Sequence, residues 1–164
     1  HHRSSAASDV YKRQKLISVD GRTYKFPDEQ DIIIIDAPCS STGTIRKNPD
    51  ILIRNNIIDL TKLQRIQQEL LKNAASNIKV GGYLMYIVCS LEEEEGENIV
   101  NKFLKTNTNF QILNLNQYIQ DLKKTLKLNT IGYLKFLPND FKVHQNDHLN
   151  GNNGFFSAVI ERKF

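Results

Sequence analysis

The chain has 164 residues, of which 24% are charged and 40% are hydrophobic, and its formal net charge is +4. This length suits one domain with an ordinary core, and the mild positive charge permits RNA binding without requiring it. No apolar run approaches the roughly 18 to 20 residues that span a bilayer, and no segment reads as a signal peptide. Two cysteines do not make a disulfide framework, so a cytoplasmic, reducing setting is the simpler expectation.

Residues 1–14 differ in character from the rest of the chain. They are small and polar, lack clear periodicity and resemble translated adapter sequence. We expect them to be a non-native or disordered leader and leave them out of the fold prediction. Residues 15–164 then carry the fold.

The chain begins with two predicted strands. Lys15 to Val19 suits a short strand, and Asp20-Gly21-Arg22 has the residues of a turn. Four consecutive isoleucines, Ile32 to Ile35, predict a central strand that is buried on both faces. This strand ends at Asp36-Ala37-Pro38, because proline cannot extend a hydrogen-bonded ladder.

A long helix and several shorter elements follow. Apolar residues recur at helical spacing over 59–78, where Asp59 or Thr61 can cap the helix. Gly81-Gly82 stops this region and precedes a strand over 83–88. The remaining predictions are a helix over 94–105, an ambiguous stretch over 110–126, strands over 133–137 and 155–160, and a polar loop over 140–153. This order predicts an α/β layered fold with a largely parallel sheet and a terminal antiparallel hairpin.

Both cysteines of the chain directly follow predicted strands. Cys39 comes after the isoleucine run, and Cys89 comes after Tyr83 to Val88. In an open parallel sheet, chemistry takes place just beyond the carboxyl ends of the strands. We therefore expect the two thiols to work on opposite sides of one substrate, although a buried structural cysteine is the alternative for either one alone.

Three motifs resemble, in the correct order, those of the RNA cytosine-5 methyltransferases of the Sun/Fmu type, especially bacterial enzymes that modify small-subunit ribosomal RNA. Residues 36–50, DAPCSSTGTIRKNPD, look like the first cysteine motif of that family and its extension. Residues 86–91 followed by 94–97 look like the second, and residues 154–158 look like the closing strand. The chain departs from the family at Val88, Gly96 and Asn153, where Thr, Asn and Asp are usual.

The resemblance implies a Rossmann-like class I S-adenosylmethionine-dependent methyltransferase fold, of which residues 15–164 form a partial catalytic domain. The Gly-rich cofactor loop of the family has no counterpart in the sequence, nor has the acidic residue that holds the cofactor ribose. We therefore expect this chain by itself to bind S-adenosylmethionine poorly and to be inactive.

The resemblance also implies a reaction, in which a methyl group passes from S-adenosylmethionine to carbon 5 of a cytosine in RNA. Ribosomal RNA is the expected substrate and transfer RNA the nearest alternative. The family assigns nucleophilic attack to Cys89, and proton removal or product release to Cys39. Asp36 is expected to contact the cofactor or the polar edge of the cytosine.

Three other candidate site residues have structural alternatives. Pro38 is expected beside the substrate, although it can act by shape alone, and Arg46 and Lys47 are expected to contact phosphates or else to be ordinary solvated charges. The acidic run at 92–97 is interpreted as a solvated start of a helix. His144 and His148 lie in an Asn-rich and Gly-rich loop, and we predict no metal site there.

A second hypothesis is a non-catalytic RNA-binding or assembly module that kept the fold. The two cysteines and Asp36 speak against this module. The missing cofactor loop favours it if the chain has no further coding sequence upstream of Lys15. Neither hypothesis calls for a membrane.

Overall fold

A computed structural model describes residues 14–54, 58–115, 118, 132–138, 140 and 151–164. Its elements are β1 (Gln30–Asp36), a 3₁₀ helix (Thr42–Thr44), α1 (Ile51–Arg54), α2 (Leu60–Ala75), β2 (Ile78–Val88), α3 (Glu97–Thr106), β3 (Phe110–Ile112), β4 (Tyr133–Phe136) and β5 (Phe155–Arg162). The predicted α/β class is confirmed. None of the helices described is long and apolar enough to span a membrane.

The strands form one mixed sheet. Its order is β1-β2-β5-β3, and β4 pairs with the same strand β5. β1 and β2 are parallel, whereas β5 is antiparallel to β2, β3 and β4. The predicted closing hairpin is therefore confirmed in β4 and β5. The expectation of a largely parallel sheet is wrong for the described strands, because β5 enters the sheet between β2 and β3 in the opposite direction.

Helix α2 forms where its periodicity predicts it. The carboxylate of Asp59 accepts a hydrogen bond from the backbone N–H of Lys62 at 3.1 Å, which satisfies one of the free donors of the first turn. Leu71 and Ala74 lie on the buried face of the helix. The helix ends at Ala75 rather than at residue 78, because Ile78 already begins β2.

Strand β2 is longer than predicted and runs through the two glycines that were expected to precede it. A Cβ atom at Gly82 would lie 2.8 Å from the backbone oxygen of Asp31, so this glycine permits a close approach of β1. The register between the two strands shifts at the same point, between Gln30 and Ile32.

The core lies on one face of the sheet. Leu84, Tyr86 and Val88 are fully buried and alternate with half-buried neighbours along β2. Helix α2 contacts both β1 and β2, and α3 packs beside α2. Phe103 of α3 and Phe156 of β5 complete the same core.

The prediction for β1 is wrong in one respect. Ile35 is buried, but Ile32 and Ile34 are 62% and 63% exposed. Among the described residues β1 pairs only with β2, and no element covers the outward face of its isoleucines. An isoleucine run therefore did not distinguish a strand buried on both faces from a strand buried on one.

Two further predictions fall in the N-terminal part. Lys15 to Val19 is irregular and exposed rather than a strand. The turn at Asp20 is confirmed by a 3.1 Å hydrogen bond from the N–H of Thr23 to the carbonyl of Asp20. Most of 110–126 beyond β3, and most of the predicted loop over 140–153, lie outside the described residues.

Candidate active site

The parallel pairing of β1 and β2 brings the two cysteines together. Asp36 lies opposite Ile87, and the N–H of Ala37 donates to the carbonyl of Ile87 at 3.0 Å. Each chain then leaves the sheet at the same edge, and the Sγ atoms of Cys39 and Cys89 lie 3.5 Å apart. Both thiols are free and half-buried. Two sulfur atoms at this distance can act on one bound group.

Ser41 also belongs to this site, although no signal in the sequence singled it out. Its backbone is left-handed, with φ 62° and ψ 22°, a conformation that is uncommon for any residue except glycine. The thiol of Cys89 donates to the Ser41 hydroxyl oxygen over 3.4 Å, and this oxygen lies 4.0 Å from the Sγ of Cys39. The strained turn therefore directs a hydroxyl group at both sulfur atoms.

The environment of Cys39 opposes its deprotonation. The pKa of Cys39 is raised from an ordinary 9.0 to about 12, first by burial and then by the negative charge of Cys89. A hydrogen bond from the backbone of Ser41 opposes this rise only in part. Cys39 is therefore a protonated thiol at neutral pH.

A buried carboxylate lies behind the cysteines. Glu95 has no exposed surface. Its oxygens accept the backbone N–H of Ser40 at 3.0 and 3.1 Å, the hydroxyl of Ser40 at 2.5 Å and the side-chain amide of Gln67 at 3.1 Å. The prediction of a solvated acidic run holds for the exposed Glu93 and Glu94 and is wrong for Glu95. Because the neighbouring residues are also glutamates, the sequence has no periodic pattern that shows which of them is buried.

Small hydroxyl side chains connect the two cysteine loops. The Ser90 hydroxyl lies 3.2 Å from that of Ser40 and 3.3 Å from that of Thr42. The Thr42 hydroxyl in turn accepts from the N–H of Leu91 at 3.0 Å. These contacts link the residues that follow Cys39 to the residues that follow Cys89.

The start of β5 is joined to the same loops through two glycines. The N–H of Gly43 donates to the carbonyl of Cys89 at 3.0 Å, and the N–H of Gly154 donates to the carbonyl of Gly43 at 2.6 Å. A Cβ atom on Gly43 would lie 2.6 Å from the carbonyl carbon of Gly154, which is too close for any side chain. The closing-strand motif thus packs directly on the first cysteine motif.

The structure places the other predicted residues around this centre. Asp36 is exposed at the end of β1 and borders a cleft of about 490 Å³ that also includes Leu16 and Phe26. Pro38 is exposed, and its carbonyl accepts from the Gln67 amide at 2.9 Å. These two residues flank the start of the Cys39 loop, and their contacts with a cofactor or substrate stay predictions.

Arg46 and Lys47 are exposed beyond the 3₁₀ helix. The guanidinium of Arg46 packs so closely on Gly151 that a side chain there would overlap it. Within the described residues, no group of three or more His, Cys, Asp or Glu side chains is arranged to hold a metal ion. His144 and His148 lie outside those residues.

Comparisons with known proteins agree with this architecture. A family model described as "16S rRNA methyltransferase RsmB/F" matches residues 8–161. The probable ribosomal RNA small subunit methyltransferase B of Bacillus subtilis is 31% identical over 140 residues, which cover 84% of this chain and 29% of that protein. A tRNA (cytosine(34)-C(5))-methyltransferase of Drosophila melanogaster is 40% identical over 75 residues, which cover 46% of this chain and 10% of that protein.

A solved structure shows the same fold. The crystal structure of NSun6 from Pyrococcus horikoshii with SFG matches with a TM-score of 0.61 at 22% identity, over 92% of this chain and 35% of that one. The chain spans less than a third of the length of the curated relatives that it matches. The predicted Sun/Fmu resemblance and the Rossmann-like methyltransferase fold are confirmed, and the chain belongs to the 16S rRNA methyltransferase RsmB/F family.

Proposed function

We propose that this chain carries the two reacting cysteines of an S-adenosylmethionine-dependent RNA (cytosine-5) methyltransferase whose substrate is ribosomal RNA. The observation that carries the proposal is the 3.5 Å separation of the Cys39 and Cys89 sulfur atoms at the carboxyl ends of two parallel strands. The family description names 16S rRNA, and the Drosophila relative is named for methylation at carbon 5 of cytosine. Both names support the same reaction.

The chemistry calls for a nucleophile and a proton acceptor. Carbon 5 of cytosine is too weak a nucleophile to accept a methyl group unaided. The Cys89 thiolate adds to carbon 6, which breaks the carbon 5–carbon 6 double bond and makes carbon 5 electron-rich. Carbon 5 takes the methyl group and then loses its proton to a base, after which the sulfur–carbon 6 bond breaks and the double bond returns.

The pKa of Cys39 supports this division of roles. Burial and the charge that Cys89 carries during nucleophilic attack both raise the pKa of Cys39, so Cys39 keeps its proton at that stage. Once the sulfur of Cys89 is bonded to carbon 6, its charge is gone and one cause of the raised Cys39 pKa disappears. Cys39 then loses its proton more readily and can accept the proton from carbon 5.

Asp36 is the residue of this chain that we propose to contact the methyl donor. Its carboxylate is exposed at the end of β1, two positions before Pro38, where it can accept hydrogen bonds from an amino group. S-adenosylmethionine supplies the methyl group when it is bound. Because the 164 residues contain no Gly-rich loop, Asp36 is the only contact with the cofactor that we assign to this chain.

Pro38, Arg46 and Lys47 are proposed to contact the RNA. A reacting base has to leave its stack to reach half-buried thiols, and exposed cations beside the cysteine loop can hold the phosphates on either side of it. Both cations lie in the loop that follows Cys39. Their contribution is expected to be the same for every RNA sequence, because phosphate contacts carry no base information.

The test uses a gene product in which this chain is joined to the sequence encoded upstream of Lys15. Cys89→Ser should abolish 5-methylcytosine in ribosomal RNA, measured by mass spectrometry of digested RNA. Cys39→Ala should instead accumulate an RNA–protein adduct that survives denaturing gel electrophoresis. Methylation by the Cys89→Ser protein would overturn the nucleophile assignment, and absence of the adduct would overturn the role of Cys39. An RNA-binding module without catalysis would form no adduct and would leave RNA unmethylated even as the parent protein, while both variants would still bind RNA.

A further inference from the structure

A buried carboxylate connects the loop of Cys39 to the segment that follows Cys89. We propose that Glu95 is the positioning residue that holds the two sulfur atoms at their working distance. The importance of Glu95 for catalysis rests on the proposed function, whereas its effect on the distance between the two sulfur atoms can be measured without catalysis. No step of the reaction itself uses this carboxylate.

The connection from Glu95 to Cys39 is direct. The carboxylate holds both the backbone N–H and the hydroxyl of Ser40, the residue that follows Cys39. It also holds the amide of Gln67, which donates to the carbonyl of Pro38, the residue that precedes Cys39. The two neighbours of Cys39 are thus fastened to one carboxylate.

Glu95 is in turn fixed to the strand that carries Cys89. The Tyr86 hydroxyl donates to the carbonyl of Glu95 at 2.7 Å. Tyr86 belongs to β2, lies three positions before Cys89 and is fully buried. A continuous series of hydrogen bonds therefore joins β2 to the neighbour of Cys39 through Glu95 and Ser40. If the carboxylate moves, the sulfur of Cys39 moves relative to the sulfur of Cys89.

The groups recorded around the Glu95 side chain all donate to it. The N–H and O–H of Ser40 and the N–H₂ of Gln67 all point at its two oxygens. Gln67 cannot turn to present its oxygen, because its nitrogen also donates to Pro38. The oxygen of Gln67 has no hydrogen-bond partner among the described residues, which agrees with an orientation set by the nitrogen alone.

Glu95→Gln consequently keeps the shape of the side chain almost unchanged but disturbs these hydrogen bonds. The amide of the new glutamine has one oxygen and one N–H₂. Because the backbone N–H of Ser40 lies 3.0 and 3.1 Å from the two carboxylate oxygens, the new N–H₂ faces that donor in either orientation. A buried donor that faces another donor has to move or lose its hydrogen bond. Glu94→Gln is the matched control, because Glu94 is the exposed neighbour of Glu95.

The distance between the thiols can be read in the 164-residue chain with phenylarsine oxide. Its arsenic forms one bond to each of two neighbouring sulfur atoms, and the two thiol protons leave with its oxygen as water. Tight binding therefore requires both sulfurs side by side, and Cys39→Ala gives the reference for one sulfur. The affinity is measured by titration of the remaining free thiols.

Glu95→Gln should weaken phenylarsine oxide binding about tenfold or more, because small displacements of paired groups have large effects on the second bond. Glu94→Gln should bind like the parent chain, and Ser40→Ala, which keeps the backbone N–H but loses the hydroxyl, should lie between them. Unchanged affinity in Glu95→Gln would overturn the proposal. Should Glu95→Gln fail to melt cooperatively, Ser40→Ala decides: parent-like affinity in that variant overturns the proposal.

A second readout separates positioning from mere stability. In the longer gene product, Glu95→Gln should lower kcat for RNA methylation by about tenfold or more while the KM for S-adenosylmethionine stays within twofold. An equal effect on both constants would contradict a positioning role. If Cys89→Ser retains methylation while Glu95→Gln still weakens arsenical binding, the proposed function fails and the positioning of the thiols stands.

Discussion

The Sγ atoms of Cys39 and Cys89 lie 3.5 Å apart although 50 positions separate the two residues in the chain. The parallel register of β1 and β2 explains this, since Asp36 pairs with Ile87 and both strands end at the same edge. Two half-buried sulfur atoms this close cannot both carry a negative charge at low cost. Cys39 therefore keeps its proton at neutral pH.

The first prediction concerns the pH dependence of Cys39 alkylation. Because burial and the charge of Cys89 raise its pKa to about 12, Cys39 should react slowly with iodoacetamide at pH 8, and its rate should still be rising above pH 10. Cys89→Ser removes the second cause and should move the rise to lower pH. Peptide mapping by mass spectrometry follows each cysteine separately. If the alkylation rate of Cys39 in the parent chain had its pH midpoint near the ordinary value of 9.0, the raised pKa would be contradicted.

The same shift has a consequence for stability. A thiol whose pKa is higher in the folded state than in the unfolded state favours folding below the unfolded pKa. For Cys39 this contribution should be present below pH 9 and should be lost as the pH rises from 9.0 to about 12. Cys39→Ala should reduce the loss of stability over that window, measured by urea denaturation at each pH.

The second prediction separates the strain at Ser41 from its hydroxyl. Ser41→Ala and Ser41→Gly both remove the hydroxyl beside the thiols, but only glycine relieves the left-handed backbone. Ser41→Gly should therefore be more stable than Ser41→Ala by about 1 kcal/mol. Urea denaturation measures the difference, and equal stabilities would show that the turn is not strained. Alkylation of Cys89 should change alike in both variants.

The third prediction concerns the contact between Gly43 and Gly154. Gly43→Ala forces a Cβ atom against the backbone of Gly154 and should lower the free energy of unfolding by about 3 kcal/mol. Gly81→Ala is the control, because its site has open space and only the positive φ of 77° opposes a side chain, at a cost of about 1 kcal/mol. Similar losses of the free energy of unfolding in the two variants would mean that the backbone segments around Gly43 and Gly154 separate easily.

The fourth prediction concerns the buried hydroxyl of Tyr86. Tyr86→Phe leaves the carbonyl of Glu95 without this donor and should lower the free energy of unfolding by about 1–3 kcal/mol. Tyr133→Phe is the control, because its hydroxyl donates to Asn101 at the surface, where water replaces it. Urea denaturation of both variants provides the comparison. A loss no larger than that of Tyr133→Phe would contradict a structural role for the Tyr86 hydroxyl.

Local patterns predicted most of the elements on which the site depends. Helix α2 follows from its apolar spacing and the Asp59 cap, because both act over neighbouring residues. The order of strands and helices predicts Cys39 and Cys89 just beyond strand ends, where the structure has them. The motifs around the two cysteines also predicted the family, which the family model confirms over residues 8–161.

Other features depend on groups that are distant in the chain. Ile32 and Ile34 are exposed because no described element covers that face of β1, and an apolar run carries no information about its neighbours. Gly81 and Gly82 lie inside β2 at the point where its register with β1 shifts, and this irregularity depends on the partner strand.

By itself, the sequence determined the α/β class, the position of each cysteine at the end of a strand and the family. Tertiary structure decided that β5 lies between β2 and β3, that Glu95 is buried while Glu94 is exposed, and that Ser41 faces both thiols. The physical reason is the range of the interactions. Periodicity and capping act within a few residues, whereas burial of a carboxylate depends on donors such as Ser40 and Gln67 that only folding brings to it.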